Sequence, residues 1–229
     1  MLLDVIRQGF TAEAIIKLAL YFVIVLISLS VHELFHGYVA YRCGDATARN
    51  LGRLTLNPLS HLDIIGTIMM LLFGFGYAKP VPINPRNFNH YKRDLCFVSF
   101  AGPFSNLMLA FFGVIVYLVS IQLIGFTVIN SPSYFWIYFL YNFIFANISL
   151  AIFNMLPIPP LDGSRIISTI LPSKLAYYYL KYEQVIMIVV LLLLWQGAFS
   201  GILFFLSEKV FSGIFWLARA ILWPLLKIL

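Results

Sequence analysis

Long apolar runs separated by short polar stretches organise this chain. Four runs have the length of a membrane span, at about residues 12–41, 95–124, 134–156 and 185–205. A spanning helix needs roughly 20 predominantly apolar residues. The pattern therefore predicts an all-α polytopic membrane protein, with a core formed by the first three spans.

Three other pieces complete the predicted architecture. Leu62–Phe75 is apolar but shorter than a span, which predicts a re-entrant helix between the first two core spans. Residues 51–57 alternate apolar and polar side chains, which predicts a short β segment. Val210–Leu229 either spans or lies at the interface, because Arg219 near its middle would cost roughly 2.5–3.5 kcal/mol at the bilayer centre.

Composition and charge agree with a membrane protein and orient it. The chain is 62% hydrophobic and 10% charged, unlike a soluble domain of 229 residues. Its net charge of +6 marks cytoplasmic loops rather than a nucleic-acid partner. Residues 42–94 hold seven Lys and Arg, and residues 125–133 hold none, which predicts that the first loop is cytoplasmic. The two cysteines, Cys43 and Cys96, form no disulfide framework.

The first span carries the sequence His-Glu-Leu-Phe-His at residues 32–36. Residues four apart share one face of a helix, so His32 and His36 can direct two imidazoles at one metal ion. Glu33 lies beside them as a candidate base. Ionisable side chains inside a span are costly unless they have a function or a partner. The motif therefore predicts a zinc site for hydrolysis within the bilayer.

Asp162 is the predicted third zinc ligand, since catalytic zinc usually takes three protein ligands. The third span runs in the same direction as the first and brings Asp162 to the side of His32 and His36. Asp162 follows a proline-rich break at residues 157–160. Irregular backbone at membrane depth must be buried in protein or line a cavity. The alternative is that Asp162 only caps the following helix.

This set of residues supports a hydrolytic mechanism. Zinc would lower the pKa of a bound water towards neutrality, and Glu33 would take the proton and pass it to the leaving amine. Asn154 could donate a hydrogen bond to the developing oxyanion, or it could only bridge two helices.

The chain resembles the site-2 protease family of intramembrane zinc metalloproteases, in its short bacterial branch without PDZ or CBS domains. Five segments carry the resemblance in the family's order: HELFH at 32–36, GRLTLNP at 52–58, AKPVP at 78–82, AGP at 101–103 with Asn106, and NMLPIPPLDG at 154–163.

The resemblance implies one Zn²⁺ per chain held by His32, His36 and Asp162, with Glu33 as catalytic base and Asn154 in support. It implies a transmembrane protein or peptide as substrate. We expect one integral-membrane metalloprotease domain over 1–229, with a catalytic core at about 12–165 and flanking helices at about 166–229. We expect a multi-pass protein of the cell membrane, with its active site towards the cytoplasmic side.

Two other functions are alternatives to proteolysis. An intramembrane metal-ion transporter needs polar groups spaced along its spans, but the outer halves here are almost bare of ligands. An inactive homologue that binds membrane proteins does not need the intact set of His32, Glu33, His36 and Asp162. For the segment 51–57, β-augmentation of an unwound substrate and a hairpin that plugs the cytoplasmic side are equally open.

Overall fold

The computed structural model describes residues 11–73, 78–124 and 131–226. Its described residues are largely helical and contain no strand. Four helices are long and apolar enough to cross a membrane, which confirms the prediction of an all-α multi-pass protein. They are α1 (Ala12–Arg42), α4 (Tyr91–Ile124), α5 (Pro132–Asn154) and α9 (Ser200–Leu226).

Local signals define where two of the long helices begin. Thr11 accepts a hydrogen bond from the Ala14 amide at 3.2 Å and caps α1. Ser131 caps α5 in the same way through the Tyr134 amide. Pro132 follows at the first helical position, where the missing amide hydrogen has no intrahelical partner to lose.

Helix α4 lies at the centre of the fold and contacts α1, α5 and α9. Ala110, Val114, Ile144, Ile148 and Ala218 form a buried cluster where α4, α5 and α9 meet. A Cβ on Gly113 would lie 2.9 Å from Ile144 Cγ1, so the glycine permits close approach of α4 and α5. Small residues at helix contacts are typical of membrane bundles, where close packing drives association.

The connection from α1 to α4 is short helices and irregular backbone rather than a β hairpin. It contains α2 (Thr47–Asn50), two 3₁₀ turns (Pro58–Ser60 and Pro85–Asn87) and α3 (Ile64–Phe73). The buried carboxylate of Asp45 organises this region. It accepts hydrogen bonds from Thr47 N, Asn84 N and Asn87 Nδ2 at 2.7–3.1 Å.

The predicted β segment at 51–57 is not a strand. Its polar backbone atoms bond to nearby residues instead of to a parallel or antiparallel partner. The Arg53 amide donates to Ala48 O, the Asn57 amide to Thr55 Oγ1, and Thr55 O accepts from His61 Nε2. Alternation of side chains marked an extended stretch, but a sheet also needs a second strand.

The C-terminal region departs from the predicted span at 185–205. After α6 (Asp162–Ile170) and α7 (Ser173–Lys181), α8 (Glu183–Trp195) ends well short of a span. A turn at 196–199 follows, with Gly197 at φ +74°, a conformation that glycine adopts readily. Residues 200–205 instead form the start of α9. This one helix also contains most of the predicted last apolar piece, 210–229.

Candidate metal centre

His32 and His36 face each other one turn apart near the end of α1. Both are buried, with their Nε2 atoms 3.0 Å apart. Helical spacing alone produces this pairing, because residues i and i+4 lie on one face. The two imidazoles are the first half of the predicted metal site.

Asp162 completes the group. Its Oδ2 lies 3.2 Å from Nε2 of both His32 and His36. It is the first residue of α6, whose N-cap is Leu161, and no side chain caps this helix. The capping alternative for Asp162 is therefore wrong.

These three residues fit a zinc ion. They are the group of His, Cys, Asp and Glu that could hold a metal ion among the described residues. A tetrahedral ion with ligand bonds of 2.0–2.1 Å separates its ligands by roughly 3.3 Å. The observed separations of 3.0, 3.2 and 3.2 Å are close to that value. Two imidazoles and a carboxylate are also a ligand set of catalytic zinc sites.

Each histidine is oriented by a partner on α4. His32 Nδ1 lies 2.6 Å from Asn106 Oδ1, and His36 Nδ1 lies 2.7 Å from Val98 O. Both partners accept, so each Nδ1 carries the hydrogen and each Nε2 keeps its lone pair for a metal. Histidine ligands of metals usually make such second contacts, which fix the tautomer and the ring plane.

Asn106 is itself held in place by two further helices. Its Nδ2 donates to Asn147 Oδ1 on α5 at 2.8 Å and to Ser28 O on α1 at 3.3 Å. Asn147 Nδ2 in turn donates to Phe143 O. In all three contacts an amide nitrogen faces a carbonyl oxygen, so the amide orientations of Asn106 and Asn147 are mutually consistent. The orientation of His32 is therefore fixed by a chain of bonds across three helices.

Gly102 makes room for the metal centre on α4. A Cβ at this position would lie 2.5 Å from His32 Nε2, with His36 Nε2 equally close. Any side chain would therefore occupy the place where the ligand atoms meet. The glycine therefore permits the two histidines to approach α4 closely.

Glu33 lies beside the metal group and is held from outside α1. Its Oε2 accepts a hydrogen bond from the Val81 amide at 2.7 Å. Val81 also packs on α1, where a Cβ on Gly37 would lie 2.9 Å from its Cγ1. Arg53 holds the same segment, since its Nη2 donates to Lys79 O at 3.1 Å. The segment 78–82 therefore positions the candidate base.

The family described as peptidase family M50 matches residues 20–131 and 121–196. YwhC of Bacillus subtilis, a candidate zinc metalloprotease by its name, is 42% identical over 207 residues, which cover 90% of this chain and 94% of YwhC. The chain belongs to peptidase family M50.

More distant relatives share only part of their length with the chain. Rip2 of Mycolicibacterium smegmatis, also named as a candidate zinc metalloprotease, is 33% identical over 60% of this chain and 52% of Rip2. The zinc metalloprotease MJ0392 of Methanocaldococcus jannaschii is 27% identical over 73% of this chain and 38% of MJ0392. No solved structure matches the chain.

Membership of family M50 confirms the resemblance to the site-2 protease family. With four apolar helices, and a His-His-Asp group of which both histidines lie in the first of them, it also confirms the prediction of an intramembrane zinc metalloprotease. The large relatives are longer than this chain, whereas YwhC is covered almost completely.

Asn154, the remaining predicted site residue, lies at the end of α5. Its Nδ2 donates to Leu150 O at 3.0 Å, within its own helix. No direct bond joins it to the metal group among the described residues, so its catalytic role stays a prediction.

Three other side chains that can bind metals are buried in the described structure but are not part of the metal group. Asp45, His61 and Asp94 are each at most 2% exposed. Asp94 accepts from the His90 amide and from Arg93 Nε at 2.7–2.8 Å. Sequence reasoning also missed Asn147 and Val81. Asn147 carried a signal, as an amide inside an apolar run, whereas a backbone amide such as that of Val81 carries none.

Proposed function

We propose that this chain hydrolyses peptide bonds in or near the transmembrane segments of other membrane proteins. His32, His36 and Asp162 hold the zinc ion, Glu33 is the general base, and Asn154 assists the oxyanion. The observation that carries this proposal is the group of three ligand atoms within 3.0–3.2 Å of one another, two of them on a helix apolar enough to cross a membrane.

Each side chain has a defined part in the reaction. When bound, zinc supplies a Lewis acid that makes water acidic and polarises the scissile carbonyl. Glu33 has one carboxylate oxygen on the Val81 amide, and its Oε1 is left to take a proton from water. Glu33 then returns this proton to the leaving amine. The Asn154 amide must exchange its bond to Leu150 O for one to the substrate oxygen.

The active site opens towards the cytoplasmic side in this proposal. The basic segment 42–94 supports that orientation through the positive-inside rule. Helix α3 is ten residues long, about 15 Å, and stays re-entrant on this side. The whole of 1–229 then forms one integral-membrane domain, in which α1, α4 and α5 are the catalytic core and α6–α9 flank it.

Glu33→Gln tests the assignment of the base. The amide is similar in shape but cannot accept a proton, so we expect cleavage of a synthetic transmembrane peptide to fall by at least 10²–10⁴-fold. Zinc per molecule, measured by elemental analysis, should stay at the wild-type value because Glu33 is not a ligand. Retained cleavage would reject the mechanism, and lost zinc would reject the assigned role. Glu208→Gln, on α9, is a matched control.

Cysteine labelling in intact cells tests the orientation. Single cysteines replace Asn89 or Asn130 in a chain without Cys43 and Cys96. An impermeant reagent should label position 130 and not position 89. The opposite pattern would place the active site on the outer side.

A further inference from the structure

A cavity of about 590 Å³ lies between three spans and the segment 58–67. Helix α1 lines it from Tyr21 to Ser30, α5 from Asn142 to Phe153, and α9 from Leu203 to Ser207. Along the chain, the lining comes within one helical turn of two catalytic residues. Ser30 lies three residues before Glu33 on the same face of α1, and Phe153 directly precedes Asn154.

His61 lines this cavity and has an unused acceptor. The side chain is 2% exposed, and its Nε2 lies 2.8 Å from Thr55 O. A carbonyl oxygen only accepts, so Nε2 carries the hydrogen and Nδ1 is left as an acceptor. Among the described residues, no donor reaches this buried Nδ1. A buried acceptor without a partner is costly, and most such atoms in folded proteins are satisfied.

His61 is also tied to the catalytic base through the backbone. Its carbonyl accepts from the Lys79 amide at 2.8 Å, and two residues later the Val81 amide donates to Glu33 at 2.7 Å. The His61 amide donates to Pro58 O at 3.0 Å. The position of His61 relative to Glu33 is therefore fixed by the same short segment.

We propose that the cavity binds the unwound part of a substrate's transmembrane segment on one side of the scissile bond, and that His61 Nδ1 accepts a backbone N–H from it. This inference rests on the proposed function. A helix that unwinds in apolar surroundings exposes amide hydrogens that need acceptors. A lipid acyl chain suits apolar walls equally well, but it has no donor for His61. His61 is then a residue that positions the substrate.

An ester scan of the substrate tests this directly. In a synthetic transmembrane peptide, each amide except the scissile one is replaced in turn by an ester, which removes a single N–H. For wild-type protein, we expect one position at which the ester lowers kcat/KM about fivefold, the size of one neutral hydrogen bond. For His61→Phe, the same ester should change kcat/KM by less than about twofold, because the bond is already absent.

His90→Phe is the matched control, because His90 is exposed and lies away from the cavity. This variant should keep the full effect of the ester. Binding to a Glu33→Gln background, measured by fluorescence anisotropy, should show the same His61-dependent position without turnover.

The outcomes separate the two proposals. If wild-type protein cleaves no transmembrane peptide, the proposed function fails. If it cleaves the peptide but every ester is tolerated, or the sensitive position is unchanged in His61→Phe, the role of His61 is overturned and the proposed function stands. The scan on wild-type protein needs no variant, so a flat profile is decisive even if His61→Phe does not fold.

Discussion

Buried histidines differ in their hydrogen bonding between the metal centre and the cavity beside it. At the metal centre, His32 and His36 each have Nδ1 bonded to α4 and Nε2 directed at the shared ligand position. In the cavity, His61 uses one ring nitrogen and leaves the other without a partner among the described residues.

In the metal centre the second nitrogen of each ring is already bonded to protein, whereas in the cavity one ring nitrogen is left for a ligand. A metal site must be preorganised, because each ligand needs a fixed tautomer and direction. A site for a passing peptide needs an acceptor that is fixed in place and still free. Variants should therefore fall into two classes: those that lose zinc, and those that keep zinc and bind substrate poorly.

Gly102→Ala should have the largest effect. The new Cβ would lie 2.5 Å from His32 Nε2, so the imidazoles must move apart and both zinc and cleavage should be lost. Gly213→Ala on α9 is the control, since nothing lies within 4 Å of its Cβ, and it should keep both. Zinc per purified molecule is the measurement. A zinc-loaded, active Gly102→Ala protein would contradict the geometry of the centre.

Asp162→Ser should come next. Serine caps a helix well but is a poor zinc ligand, so a helix-capping role would leave the protein unharmed. Because no side chain caps α6, we expect zinc occupancy to fall severely and cleavage to fall with it. Asp63→Ser, in which a carboxylate outside the metal group is removed, should keep its zinc. Full occupancy in Asp162→Ser would leave the third ligand unassigned.

Asn106→Leu should reduce zinc affinity by about 10–100-fold, the usual loss when the outer partner of a metal-bound histidine is removed. Leucine keeps the volume but leaves His32 Nδ1 without an acceptor. The readout is competition with a chelator of known affinity. Ser120 lies on the same helix as Asn106, and Ser120→Ala, which removes a hydrogen bond donated by Trp136 on α5, should leave zinc affinity unchanged. Equal affinities for the two variants would show that Asn106 does not orient the ligand.

Ala146→Phe should have the smallest effect and belongs to the second class. Ala146 lines the cavity, and a phenyl ring there takes up space needed by substrate. We expect KM to rise about tenfold while kcat changes little, as for a loss of binding shared by ground and transition states. Zinc per molecule should stay at the wild-type value. A fall in zinc would mean that the two regions are not separable.

Sequence reasoning reached the parts of this structure that depend on local order. Three spans were predicted within a few residues because their apolar runs are uninterrupted. His32 and His36 were paired because four residues make about one helical turn. Asp162 required a longer inference, from the direction of the spans, and the structure brings it to the two histidines.

The errors have two causes: some local patterns fit more than one structure, and bonds between distant segments leave no local pattern. Residues 51–57 alternate like a strand, but their backbone atoms bond to neighbouring turns. The run at 185–205 is predominantly apolar, but the chain turns at Gly197, and the turn divides the run between α8 and α9. The bond from Asn106 to His32 spans 74 residues, so no window of sequence contains both.

The chain of amide bonds from Asn147 through Asn106 to His32 also sets an order of assembly. Synthesis begins at the N-terminus, so α1 enters the membrane before α4 and α5 exist. Until α5 is inserted, Asn106 lacks its bond to Asn147, and until α6 follows, His32 and His36 lack Asp162. A nascent chain that stops before residue 162 therefore cannot hold the complete ligand set. Proteolytic competence therefore arrives only with the last part of the catalytic core.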